Sequence, residues 1–185
     1  SYMRAAYRDG RFDVSLKDEE RQLIPTAWIL AAQERWKING DVPPEGIPMC
    51  SIAADPAGNG IDKIEMVKRY DHYFSEVKTI EKIDSPAQGR NIAGEIMRDR
   101  KNDCEVVIDM GGGYGGATWQ CLEENINLSK LVAYKGDNES RERSKDGMLH
   151  FSNKRSQCHW RIMEALDPSQ DGGSKIMIPD DRELL

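Results

Sequence analysis

The chain has 185 residues, of which 31% are charged, and a formal net charge of −6; its mean hydropathy is −0.68. That length predicts one domain with a substantial core, and no apolar run reaches the ~18 residues of a membrane-spanning helix. The acidic balance excludes a broadly basic nucleic-acid binder, so any DNA contact must come from a local basic patch, aided by metal ions that offset carboxylates.

Cysteine and histidine usage narrows the chemistry. Cys50, Cys104, Cys121 and Cys158 lie far apart and form no CxxC pair. Cys50 and Cys104 fall in or beside predicted strands and are expected to be reduced, buried thiols of a cytoplasmic protein. Three histidines without metal spacing argue against zinc. No secretory leader opens the chain. It begins SYMRAAY rather than on Met, and reads as a piece of something longer.

Residues 1–23 are polar and weakly patterned, and read as a connector; residues 24–185 form the domain. Leu23 to Trp36 predicts a helix, with Thr26 as its cap and Ile29, Ala32 and Trp36 as its apolar face. A Gly/Pro-rich loop from Asn39 to Pro48 leads into a first strand, Met49 to Ala54. Asp62 to Tyr70 predicts a second strand and His72 to Ile80 a third, joined as antiparallel hairpins. Ser85 and Pro86 open a helix through about Arg100, its stripe made by Ala93, Ile96 and Met97. Cys104 to Ile108 is a fourth strand, Ala117 to Asn125 a helix and Leu131 to Tyr134 a fifth strand. Lys135 to Leu149 reads as a mobile charged loop. Asn153 to Leu166 is an amphipathic helix with Cys158, Ile162 and Leu166 on one side, and a short apolar run follows at Ile176 to Ile178. Strand–helix–strand crossovers imply parallel neighbours. The whole order predicts an α/β fold with a ribonuclease H-like mixed five-stranded sheet flanked by helices.

Two segments carry the chemistry. MCSIAADPAGNGIDK and CEVVIDMGGGYGGATW each run from an apolar strand to a lone aspartate, Asp55 and Asp109, and then into a glycine-containing loop. In the predicted sheet the first and fourth strands are neighbours, so the two aspartates meet at one sheet edge. Paired carboxylates there suit a hard cation, Mg²⁺ or Mn²⁺. Asp62, after the Gly58-Asn59-Gly60 turn, could face Asp55 across the hairpin and bind metal; it reads equally as an ordinary turn residue. Gly111, Gly112, Gly113, Gly115 and Gly116 allow backbone to approach a phosphate at a helix start. That string also fits methyltransferases and the phosphate loop of actin-like kinases. The methyltransferase reading expects an acidic end to the next strand, which here ends Tyr134-Lys135-Gly136. Lys135, Arg141, Arg143, Lys145, Lys154 and Arg155 form the most basic region, either a DNA-backbone contact or a solvated loop offset by Asp137, Glu139, Glu142 and Asp146. Trp28, Trp36, Trp119 and Trp160 read as core or interface residues, and His150 and His159 as packing or surface residues.

From about residue 23 to 178 the chain resembles the nuclease domain of the large terminase subunit of tailed phages. The matching pieces are IPTAWILAAQERW, IAADPAGNGIDK, VVIDMGGGYGGATWQCLEE and FSNKRSQCHWRIMEAL. The resemblance implies a domain that cuts concatemeric viral DNA during packaging, with a two-metal site of Mg²⁺ or Mn²⁺. It gives Asp55 and Asp109 as the metal-binding and catalytic carboxylates. It further implies an upstream packaging ATPase domain, absent here, and a small terminase subunit and a portal protein as partners of the full-length protein. The setting would be the host cytoplasm. The family's third acidic residue lies in a later helix motif that this sequence does not contain, so at least one metal position is expected to be under-liganded; Asp180 or Asp181 would complete the site only if the tail folded back onto it. Two other readings stand beside this one: an actin-like, nucleotide-binding domain, and a non-catalytic docking module of a packaging motor.

Overall fold

The computed structural model describes residues 23–57, 62–83 and 85–181; residues 1–22 of the predicted connector lie outside them. Along the first acidic-ended strand, β1 (Ser51–Asp55), Ile52 and Ala54 are buried while Ser51, Ala53 and Asp55 lie on the opposite face. A second strand of the same kind, β5 (Glu105–Asp109), buries Val106 and Ile108 and turns Glu105, Val107 and Asp109 the other way. Both therefore alternate, one face packed and one open, as side chains on successive strand residues must. The remaining strands are β2 (Ile64–Tyr70), β3 (Tyr73–Phe74), β4 (Lys78–Ile80) and β6 (Leu131–Tyr134).

The sheet runs β3-β2-β1-β5-β6, with β4 also paired to β2. β2 is antiparallel to β1, whereas β1–β5 and β5–β6 are parallel. This is the predicted mixed sheet with one difference: the third strand is split in two. β3 pairs with Arg69 and Tyr70, and β4 with Ile64, Glu65 and Met66. The split has a local cause. The Lys68 N–H donates to the Ser75 hydroxyl at 3.0 Å rather than to a main-chain carbonyl, which breaks the ladder between the two pieces.

Four helices surround the sheet among the described residues: α1 (Thr26–Asn39), α2 (Gln88–Asp99), α3 (Gly116–Glu123) and α4 (Lys154–Leu166). Ile92, Ala93 and Ile96 of α2 and Leu122 of α3 join Ile52, Ile64, Met66, Val106 and Ile108 in the main core. Ile92, not Met97, completes the α2 stripe; Met97 is exposed. Thr26 is the first residue of α1 rather than its cap, a position held by Pro25. Trp36 stacks on Tyr73 with ring centroids 6.1 Å apart and donates from Nε1 to the Phe74 carbonyl at 2.9 Å. A second cluster joins Ala32 of α1 to Leu166 of α4 and Ile176 of the tail. The four cysteines are free; Cys104 is buried, but Cys50 and Cys158 are exposed, against expectation. Cys50 precedes β1 at the sheet's rim, and Cys158, near the start of α4, lies against Tyr134 at the end of β6.

Segment 135–151 is tied down. Ser140, fully buried, donates to Gln157 Oε1 of α4 at 2.8 Å. The Lys145 N–H donates to Glu164 Oε1 at 2.8 Å, and Arg161 Nη2 to the Arg143 carbonyl at 2.9 Å. The tail is held as firmly at the other end of the sheet. Met177 bridges Tyr73, Arg35 Nε donates to the Ile176 carbonyl at 2.9 Å, and Lys37 pairs with Asp180 at 2.8 Å.

Two tests follow from this packing. A Cβ on Gly89 of α2 would fall 2.5 Å from Ala117 Cβ and 2.8 Å from the Thr118 nitrogen of α3, whereas one on Gly94 would meet nothing within 4 Å. Gly89→Ala is expected to cost about 1–3 kcal/mol, and Gly94→Ala to add roughly 0.5–1 kcal/mol; thermal melting of both variants checks the opposite signs. Lys78 of β4 pairs with Glu95 at 2.9 Å and with Asp99 at 3.1 Å, both on α2. The Glu95 bond, ahead of Asp99, raises Lys78 above its ordinary value. Lys78 first, then Arg98, hold Glu95 low. Burial pushes Asp99 up, but its bonds to Lys78 and Lys68 outweigh this and leave it low. Depressed carboxylates contribute stability that is present above their unfolded values and lost as pH falls through their lowered ones. Lys78→Met should therefore lower the melting temperature near neutral pH, with a deficit that shrinks below the carboxylate range. A deficit of constant size in acid would contradict this origin.

Candidate active site

The β1–β5 register places the two aspartates. Ile52 lies opposite Val106 and Ala54 opposite Ile108, so Asp55 and Asp109 are the next residues on adjacent parallel strands and share the open face. Neighbouring strands are about 4.8 Å apart. The charges feel one another: burial raises the Asp55 carboxyl above the usual carboxylate range, and the negative charges of Asp109 and then Asp62 raise it further.

Asp109 is oriented by its own loop. The Gly111 N–H donates to Asp109 Oδ1 at 2.7 Å. A Cβ at Gly111 would stand 2.9 Å from that oxygen, and one at Gly115 would stand 2.5 Å from the Asp109 carbonyl oxygen. The glycines thus let the loop fold back onto the strand end, with Gly112 and Gly113 at φ of 64° and 82°. The Gly111 amide is spent on Asp109, which departs from the phosphate cradle expected of this string.

A cavity of about 280 Å³ opens at this end of the sheet, lined by Asp55, Glu65, Val77, Asp109 and Tyr134 above Ala53, Val67 and Val107. Glu65 is the residue sequence reasoning missed. It pairs directly with Asp55 across the β1–β2 ladder. Asp62, which reads equally as facing Asp55 or as an ordinary turn residue, lies exposed ahead of β2 and outside the cavity lining, near enough for its charge to act on Asp55. The alternation of Ile64 and Met66 inward was legible and puts Glu65 outward. The length of the turn was not legible, and the turn fixes which residue meets Asp55. Tyr134 ends β6 opposite Asp109; burial, then Cys158, raise its hydroxyl pKa.

The basic residues lie off to one side. Lys135, Arg141, Arg143 and Arg155 are exposed and Lys154 is half-buried. Lys135 follows Tyr134 directly, and Gly136 packs against the Arg155 side chain, where a Cβ would come 3.1 Å from Nε. Arg143 Nη1 donates to the Gly147 carbonyl at 3.2 Å and Lys154 Nζ to Gln157 Oε1 at 3.3 Å. The Lys37 pairing turns Asp180 toward α1, at the β3 edge and away from the strand ends that carry Asp55 and Asp109. Asp181 follows the same path, its carbonyl accepting from Gln33 Nε2 at 3.2 Å. His150 and His159 are exposed, as expected; Trp36 is core, and Trp28, Trp119 and Trp160 are half-buried.

The donor set fits a hard divalent cation: two adjacent carboxylates over a solvent-open cavity, with room for water. Among the described residues no group of three or more His, Cys, Asp or Glu is placed to hold one ion.

The sheet order, the parallel β1–β5–β6 half and the strand-end carboxylates define a ribonuclease H-like architecture. The chain is similar in fold to the nuclease domain of the large terminase subunit gp2 of bacterial virus Sf6, at 19% identity and a TM-score of 0.57 over 78% of this chain. A mutant of that domain with calcium matches at 20% identity and a TM-score of 0.57. A mutant with manganese and beta-thujaplicinol matches at 20% identity and a TM-score of 0.56. The chain spans about 64% of the length of the first of these domains. No protein-family model and no curated protein matches the sequence.

Like charges held side by side without a counter-ion destabilise the folded state. Asp55→Asn is therefore expected to raise the melting temperature at neutral pH in the presence of a chelator. A fall on this substitution would show that Asp55 is held by favourable contacts rather than by repulsion.

Proposed function

We propose that this chain is a metal-dependent DNA endonuclease domain of a viral genome-packaging terminase, hydrolysing phosphodiesters of concatemeric double-stranded DNA. The observation that carries this reading is the in-register pair Asp55 and Asp109 at the ends of adjacent parallel strands, in a sheet of the terminase nuclease topology. The structures similar in fold are nuclease domains, which supports this reading over the actin-like alternative, and include forms with manganese and with calcium, which supports a divalent-ion site. Engagement of the Gly111 amide by Asp109 also weighs against a nucleotide-phosphate loop.

In this mechanism Asp55 and Asp109 would hold Mg²⁺ or Mn²⁺ by their carboxylate oxygens, with water and a substrate phosphate completing the shell. When bound, a metal pair polarises the phosphodiester and lowers the pKa of the attacking water. The chain's own contribution is placement. The Gly111 N–H fixes the rotamer of Asp109, and rigid strand ends fix the separation of the two carboxylates. Glu65 lines the same cavity and adds negative charge that strengthens cation binding, a role given by sequence reasoning to Asp62, which acts on Asp55 from outside the cavity. Lys135, Arg141, Arg143, Lys154 and Arg155 lie on the β6–α4 side and would contact the DNA backbone, offsetting the acidic surface. Terminase small subunit and portal protein are the proposed partners of the full-length protein, working in the host cytoplasm. Among the described residues no helix is long and apolar enough to cross a membrane.

Nicking of supercoiled plasmid tests the proposal. Activity is expected in Mn²⁺, weaker activity in Mg²⁺, because only two carboxylates meet its stricter octahedral demand, and none with EDTA. Asp55→Asn and Asp109→Asn should each abolish nicking while the fold is retained. ATP binding without cleavage would contradict the proposal and favour the nucleotide-binding alternative.

A further inference from the structure

Of the Phe, Trp and Tyr side chains in the described residues, Tyr114 alone stands exposed, with 57% of its surface open. Others are held from behind: Trp36 by the Phe74 carbonyl, Trp119 by Glu123 and Trp160 by Glu164. A single exposed apolar side chain is ordinary on a protein surface. What distinguishes Tyr114 is the scaffold beneath it. Its ring lies over Gly112, where a Cβ would come 3.3 Å from both Cδ2 and Cε2. Gly112 is at φ 64°, so both its conformation and its missing side chain serve this seat. The next residue, Gly115, is pressed against the Asp109 carbonyl. The ring therefore projects from a loop anchored on both sides of it to Asp109, by the Gly111 N–H and by the close approach of Gly115. Its Cδ2–Cε2 side lies against bare Gly112 backbone while most of the side chain remains open, on the loop that closes back onto Asp109.

We propose that Tyr114 is a stacking platform for an unpaired nucleobase adjoining the phosphate that reaches Asp55 and Asp109. This rests on the nuclease reading above and adds to it a substrate feature: the site takes DNA whose strand is locally unpaired, at an end or an opened step. An aromatic face accepts any base, because every base presents a π-face, so the contact gives a preference for single-stranded character without a preference for sequence. A ring that packs against Gly112 on a backbone-anchored loop loses less freedom on binding than one on a free loop, which favours affinity.

The test uses the full chain with Asp55→Asn, so that DNA stays uncut, and a duplex with a short single-stranded overhang containing 2-aminopurine. Tyr114→Ala and Tyr114→Leu are expected to weaken overhang binding roughly 5- to 150-fold, the range given by loss of one base stack. Quenching of 2-aminopurine should disappear with it, while Tyr114→Phe keeps both affinity and quenching. Blunt duplex should bind all four proteins alike. Equal overhang binding by the Ala, Leu and Phe variants overturns the inference. So does equal weakening by all three, which would mark a hydroxyl contact or a surface covered by another protein. Plasmid nicking by the unsubstituted chain is scored separately. If nicking persists while binding ignores Tyr114, only this inference falls. If the chain neither nicks nor binds DNA, the nuclease reading falls and takes this one with it.

Discussion

Parallel pairing of β1 with β5, in the register that sets Ala54 against Ile108, decides where both carboxylates go. Side chains alternate along a strand, so a slip of one residue would send Asp55 into the core among Ile52 and its neighbours and leave Asp109 alone. The buried pattern on the packed face prevents that slip. Ile52, Ala54, Val106 and Ile108 meet α2 and α3 on one side, and their burial holds Asp55 and Asp109 together on the other. The apolar face thus stabilises a polar arrangement that is unfavourable by itself, two like charges at neighbouring strand ends.

Close backbone approach then refines the position of the second carboxylate. Gly111 and Gly115 let the loop double back onto Asp109, and Gly89 lets α3 press against α2 beneath it. The helix that begins at Gly116 is therefore located by packing rather than by a side-chain cap, and none is present at its start. At the opposite rim the α1, α4 and tail cluster ties the β3 edge to the segment after β6. α4 contacts the β6 side through the Arg155 N–H, which donates to the Gly136 carbonyl at 2.8 Å, and reaches α1 through Leu166. The site end of the sheet is left open between these supports.

Much of this was legible in the sequence. Strand–helix–strand order around VVIDMGGGYGGATWQ requires a crossover between parallel strands, and the two lone aspartates end their apolar runs at equivalent points. Asn153 was readable as a helix start, and its side chain does accept from the Ser156 N–H at 2.8 Å. What escaped depended on contacts distant in sequence or on hydrogen bonds chosen locally. Ser75 interrupts the third strand with a hydroxyl whose partner, Lys68, lies on another strand. The charged segment 135–151 looks mobile by composition, yet Ser140, Lys145 and Arg143 find partners on α4. Glu65 was hidden by turn length, and the exposure of Cys50 by where the ladder begins. Each is a tertiary outcome, and periodicity reports only the secondary pattern.

The claim on which the account rests is that Asp55 and Asp109 bind one cation between them. An anomalous difference map from a crystal soaked in Mn²⁺ measures this directly. The account predicts a peak between the two carboxylates, at the open end of the β1–β5 pair and on the cavity side. A fully occupied Mn²⁺ peak bound elsewhere, with none touching both aspartates, would contradict it.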